Sequence, residues 1–137
     1  MKRAEGAAFV ATLGALLAVT ATAVDIMMPA QPSIARAFEL PESLGAAMVG
    51  TFSIGYGIGQ MMWGPLSDRF GRLPVLYLAL TGFIIAGIVC AVTDSFTTLL
   101  TARFFHGFMG GAGPTLARAI ARDLGGGART AQALSAA

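Results

Sequence analysis

Three ionisable side chains stand where an apolar chain has least reason to place them: Asp25, Arg103 and His106. Asp25 ends a run free of charge from Ala7 to Val24, and Arg103 and His106 interrupt the stretch LLTARFFHGFMGG. An acid at the centre of a membrane helix costs roughly 2.5–3.5 kcal/mol on insertion scales, so a group in that position is a candidate for function. Burial pushes a carboxyl toward its neutral form, and a nearby cation pulls it back. Together these are the ingredients of a group that takes up and releases a proton. The structural alternative makes Asp25 no more than the ion-pair partner of an arginine. Arg103 cannot shed its charge and needs an acid or carbonyl partner. His106, one turn further on, suits either a proton relay or a hydrogen bond between helices.

A second group of charges lies in residues 64–72, GPLSDRFGR, between two apolar runs. Asp68 falls at the C-terminal end of the preceding helix, where the macrodipole disfavours a carboxylate. It needs a cation, and Arg72 is one turn or one tight loop away, with Arg69 beside it. Gly71 supplies the freedom of φ that a sharp reversal requires, and Gly64 permits a close helix approach. Taken alone, the stretch reads equally as a charged turn that fixes topology. Other chemistry is hard to find. One His, one Cys and no nucleophile–base or metal-ligand spacing argue against an enzyme, a metal or an organic cofactor. Gly55-x-Gly57-x-Gly59 has no preceding strand and no lysine, so it is no nucleotide loop. Helix packing explains it better, as it does Gly107, Gly110, Gly111 and Gly113.

The elements that must position these groups follow from composition. The 137 residues are 55% hydrophobic and only 12% charged, with a mean hydropathy of +0.72. A soluble domain carries about a quarter charged residues, so the chain reads as all-α and membrane-embedded. The formal net charge of +2 comes from scattered basic residues. They form no stripe that nucleic acid could use. Cys90 has no disulfide partner and sits in an apolar run as a small hydrophobe. Four helices of membrane-spanning length are expected over about 7–37, 44–63, 74–92 and 96–120. The connections RAFELPES, PLSDRFGR and TDS are short, which makes successive helices antiparallel neighbours. Pro41, Glu42 and Ser43 suit the start of the second helix.

Lys2, Arg3 and Ala21-Thr22-Ala23 imitate a cleavable signal peptide, but the apolar run is too long for one and three more spans follow. Lys2 and Arg3, then Arg69 and Arg72, then Arg118, Arg122 and Arg129 all fall on one side, with only Arg36 on the other. By the positive-inside rule both termini and the 64–72 stretch are cytoplasmic. Pro29, Pro32 and Pro114 are expected to kink their helices and free carbonyls toward a cavity. Met27, Met28, Met61 and Met62 could line an adaptable cavity or simply pack.

The spacing Gly64-x-Leu66-x-Asp68-Arg69-x-Gly71-Arg72 resembles the loop between helices 2 and 3 of the major facilitator superfamily. Leu73 departs from it, standing where a second basic residue is usual. Asp25-x3-Pro29-x2-Pro32, TFSIGYGIGQMMWGPLSDRFGRLPVL and LLTARFFHGFMGGAGPTLARAIARDL are similar to the drug:proton antiporter branch, and most of all to its bicyclomycin-resistance type. The resemblance covers essentially the whole chain. It implies that Asp68, Arg72 and Asp123 form a cytoplasmic charge cluster that latches the two halves of a transporter. It also implies that Arg103 faces a central cavity near helix 1.

The expectation is therefore the first four helices of a six-helix N-terminal bundle, with 128–137 approaching a fifth. It would belong to a multidrug exporter of the bacterial inner membrane that alternates access and draws on the proton gradient. Its partners would be drug-like molecules, protons, the bilayer and the missing C-terminal portion, without which transport is not expected. Two rivals remain. A small dimeric four-helix multidrug transporter fits Asp25 but not GPLSDRFGR. A non-transporting membrane partner or assembly protein fits neither Asp25 nor Arg103.

Overall fold

The computed structural model describes residues 11–125 except positions 13, 16, 19 and 24. The approach to a fifth helix expected at 128–137 therefore lies outside the described residues. Those described are helical apart from short joints, with no strand among them. The described residues between 11 and 25 are helical and lead through Ile26 into α1 (Met27–Ala37). The Ile26 amide, bonded to the Thr22 carbonyl at 3.0 Å, carries the helical ladder across the joint. Next come α2 (Glu42–Phe70), α3 (Arg72–Val92), α4 (Phe96–Gly110) and α5 (Ala112–Gly125). Gly111 alone separates α4 from α5, so these two elements make up the fourth apolar segment.

The helices end where local chemistry ends them. After α1 the chain turns through Glu39 at φ 52°, with the Leu40 amide reaching back to the Ala35 carbonyl at 2.9 Å. Pro41 then precedes the first residue of α2, as its fixed φ favours. Both lapses inside long segments, Ile26 and Gly111, fall three residues ahead of a proline, Pro29 and Pro114. Pro32 and Pro65 lie inside α1 and α2, which continue past them.

One expectation needs correction. The connection after the second span is shorter than PLSDRFGR: α2 runs past residue 63 to Phe70, with Asp68 near its C-terminal end as expected, and Gly71 is the only non-helical residue before α3. Leu66 explains this, because it packs on the Trp63–Leu76–Leu116 core and holds the last turn of α2 against α3 and α5.

The largest interface joins α2 to α4, with α3 against α4 and α1 against α2. It closes backbone to backbone. A Cβ added at Gly107 would overlap the Phe52 carbonyl oxygen and lie 2.8 Å from its carbon, and one at Gly111 would lie 2.7 Å from the Tyr56 oxygen. From the other side, Gly55 and Gly59 press on the carbonyls of Phe104 and Phe108. Four glycines in two i, i+4 pairs therefore make a reciprocal seam of the small-residue kind that membrane helices use. Gly64, by contrast, meets only Thr115 at an ordinary distance.

The outer surface suits lipid. Ile84, Ile85, Ile88 and Val92 of α3 are all exposed. Among the described residues α3 is the one helix that by itself is long and apolar enough to cross a membrane, with a mean hydropathy of 2.5 over 18 residues. Its 21 residues span about 31 Å at 1.5 Å per residue, matching a hydrocarbon core of about 30 Å.

Candidate functional site

Two groups of polar side chains are assembled by this bundle, one at the α2–α3 end and one in its middle. The first is built on Gly71. With φ 94° it occupies backbone space that L side chains rarely adopt, and it reverses the chain within one residue. The reversal places Arg72, first residue of α3, beside the last turn of α2. Its guanidinium Nη1 lies 2.5 Å from Asp68 Oδ1 and its Nε lies 3.0 Å from Asp123 Oδ2 on α5. Nη1 also donates to Ser67 Oγ at 2.6 Å, and that hydroxyl donates to the Gly64 carbonyl at 2.8 Å. One side chain thus joins three helices. Asp123, ahead of Asp68, pushes the Arg72 pKa further up, with desolvation working against it, so the clamp keeps its positive centre at any physiological pH.

Arg69 stays out of this cluster. It is exposed, with its guanidinium carbon 5.5 Å from the centre of the Phe70 ring. Both acids are more than half exposed. Pairs in such a setting are worth about 0–1 kcal/mol each, which is weak enough for the clamp to open without unfolding anything.

The second group surrounds Arg103 and His106, both buried on α4. The Arg103 guanidinium meets the Met27 sulfur and lies 5.9 Å from the centre of the Phe52 ring. Its Nε is buried without a hydrogen-bond partner. His106 is caged by Phe52 at 5.6 Å edge-on and Phe83 at 4.1 Å between centroids, with its Nδ1 also unpartnered. Asp25 is exposed, two residues before Met27, and no ion pair joins it to Arg103 among the described residues. The structure therefore brings Arg103 to the stretch of the first segment that carries Asp25, but not to its carboxylate. Of the four methionines singled out in the sequence, Met27 is core, while Met28, Met61 and Met62 are exposed.

Several participants escaped the sequence reading. Ser67 adjoins Asp68 but looked like a spacer. Trp63, the only tryptophan, donates its indole N–H to the Phe108 carbonyl at 2.7 Å, a contact its identity alone could have flagged because a buried indole needs an acceptor. Thr20 donates to the Gly110 carbonyl at 3.3 Å, and nothing in its neighbourhood announces that. No group of three His, Cys, Asp or Glu among the described residues is placed to hold a metal.

A glycine-sealed bundle with a lipid-suited apolar surface, a charged clamp at one end and a buried cation in the middle is the architecture of a segment of an integral membrane protein. The family model of the Major Facilitator Superfamily matches residues 12–137, and the chain belongs to that superfamily. It is 35% identical over 124 residues to multidrug resistance protein D of Escherichia coli, an alignment covering 90% of this chain and 32% of the relative. It is 36% identical over 112 residues to an uncharacterized MFS-type transporter of Bacillus subtilis (82% of this chain, 28% of the relative). The bicyclomycin resistance protein homolog of Haemophilus influenzae is 32% identical over 117 residues, 85% of this chain and 29% of its own length. The chain thus spans about a third of the curated relatives it matches. No solved structure matches it.

Proposed function

We propose that this chain forms the first four spans of a proton-coupled exporter of drug-like small molecules in a bacterial inner membrane. Both termini and the Asp68–Arg72–Asp123 clamp face the cytoplasm. The carrying observation is that clamp: Arg72 binds an acid at the end of α2 and another on α5, so the cytoplasmic ends of the second, third and fourth spans are tied by contacts cheap to break. A latch for alternating access between two halves has that character. The names of the relatives from Escherichia coli and Haemophilus influenzae, both resistance proteins, support a drug-like cargo.

In this reading Asp25 is the proton-coupling acid, facing a cavity completed by spans beyond these four. Arg103, with an unpartnered nitrogen, is the buried cation that its protonation state influences, and His106 lies within reach of the same path. A shift between two states then exchanges proton for cargo. The proton gradient is the only energy source required, and no cofactor or enzymatic step enters. These four spans alone lack the opposing cavity wall and do not complete the cycle. The clamp counts against the two rival architectures, since neither a small dimeric transporter nor an assembly protein has use for one.

The test uses proteoliposomes of the complete transporter under an imposed pH gradient. Asp25→Asn, a mimic of the protonated acid, should abolish gradient-driven efflux while cargo still binds, and Asp25→Glu should retain part of it. Full gradient-driven efflux by Asp25→Asn would remove Asp25 from the coupling role.

A further inference from the structure

Proline has no N–H, so Pro114 withdraws the helical hydrogen bond due to the Gly110 carbonyl four residues back. That carbonyl is buried between helices, away from any bulk water, where an unpaired acceptor is expensive. It is not left unpaired. The Thr20 hydroxyl, on the first segment and ninety residues away in sequence, donates to it at 3.3 Å. Thr20 is itself buried and borders a small void with Phe83, Met109, Gly110 and Gly113. Adjacent Gly111 is where α4 gives way to α5.

We propose that Thr20 is the positioning residue of a hinge in the fourth span. Its hydroxyl replaces the bond that Pro114 removes and pins the α4–α5 joint to the first span. The joint separates the part of the span that carries Arg103 and His106 from the part that carries Asp123. Its setting therefore fixes how the middle of the bundle is oriented relative to the clamp. Only that last consequence rests on the transporter reading; the hinge itself rests on the geometry.

The experiment is a double-mutant cycle in the full chain in lipid nanodiscs. Spin labels are placed on the exposed positions Thr97→Cys and Arg122→Cys, with Cys90→Ala removing the native thiol. Thr20→Val keeps the shape and deletes the donor. It should broaden or shift the label-to-label distance distribution and raise the unfolding constant by about threefold to twentyfold, from the average to the largest effect measured for interhelical hydrogen bonds in a membrane bundle. Thr20→Ser should restore both.

In a Pro114→Ala background, where residue 114 supplies its own N–H, Thr20→Val should change neither. If Thr20→Val fails to insert, recovery of insertion by Pro114→Ala supports the hinge, and failure to recover overturns it. Equal effects of Thr20→Val in both backgrounds, or no rescue by serine, also overturn it. None of these measurements requires transport, so the outcome is independent of whether the complete protein exports drugs.

Discussion

The α2–α4 seam makes the sharpest quantitative demand. Carbon atoms in contact sit about 3.5–4.0 Å apart, yet a methyl at Gly107 would lie 2.8 Å from the Phe52 carbonyl carbon and closer still to its oxygen. The obstruction is backbone on a well-packed helix, so no side chain can swing aside. Gly107→Ala therefore forces the two helices apart locally by about 0.7 Å or more. A gap of 0.5–1 Å forfeits a quarter to a half of each dispersion contact, and overpacking of this kind costs typically 1–3 kcal/mol. Alanine returns about 0.5–1 kcal/mol by restricting the unfolded chain, which leaves a net destabilisation of up to about 2.5 kcal/mol. Gly57→Ala is the internal control, since nothing lies within 4 Å of the new methyl; the same entropic term should make it neutral or stabilising by up to about 1 kcal/mol. The pair Gly55→Ala with Gly107→Ala should be less than additive, because one separation relieves both clashes. Reversible denaturant unfolding of the chain in mixed micelles measures all four variants. If Gly107→Ala is no less stable than Gly57→Ala, the backbone seam is not what holds α2 to α4.

Asp123→Asn and Asp68→Asn each remove one arm of the clamp. In the complete transporter both should cripple efflux while changing stability by less than about 1 kcal/mol, and unchanged efflux would reduce the cluster to a topology signal. A reporter fused after Arg72 or Ala137 should read as cytoplasmic and one after Glu42 or Asp94 as exported; an exported signal at Arg72 would overturn the orientation. Glu39 holds φ 52° without being glycine, a strain of about 1–2 kcal/mol set against the greater freedom of glycine in the unfolded chain. Glu39→Gly should therefore raise stability by roughly 0.5–1 kcal/mol in thermal unfolding, and a loss would mean that the carboxylate has a role of its own.

What the sequence disclosed depended on whether the signal was local. Asp68, Gly71 and Arg72 lie within five positions, so charge, dipole and turn chemistry all pointed to one cluster. Asp123 entered it through resemblance alone, because fifty-one residues separate it from Arg72 and no local rule spans that distance. Trp63 and Thr20 were missed for the same reason: their acceptors are carbonyls on a helix whose placement composition does not determine. The apolar run ends at Trp63 while the helix runs on to Phe70, because hydropathy marks the extent of the span and not that of the helix. At a membrane surface a charged last turn satisfies both the helix ladder and the headgroup water, so charge there says where the helix leaves the lipid rather than where it stops.

The contrast between the two polar groups bears on how they act together. The clamp is half exposed, fully paired and individually weak. The Arg103–His106 group is buried, partly unpaired and enclosed by Met27, Phe52 and Phe83. In the proposed transport cycle, weak, solvated contacts suit a part that has to open and close. In the same proposal, buried groups with unpartnered nitrogens suit a part that responds to a proton or a ligand, since each unmet bond there is free energy that an arriving partner can recover. The glycine seam lies along the Arg103–His106 stretch, running from Gly55 beside Phe104 to Gly111 beside Tyr56. Because it closes on backbone, α2 and α4 must move together. The Gly111 amide keeps its bond to the Gly107 carbonyl at 2.9 Å, so the place in the fourth span where a ladder bond is given up is the Gly110 carbonyl ahead of Pro114, and the proposed hinge would put motion between the Arg103 region and the clamp there.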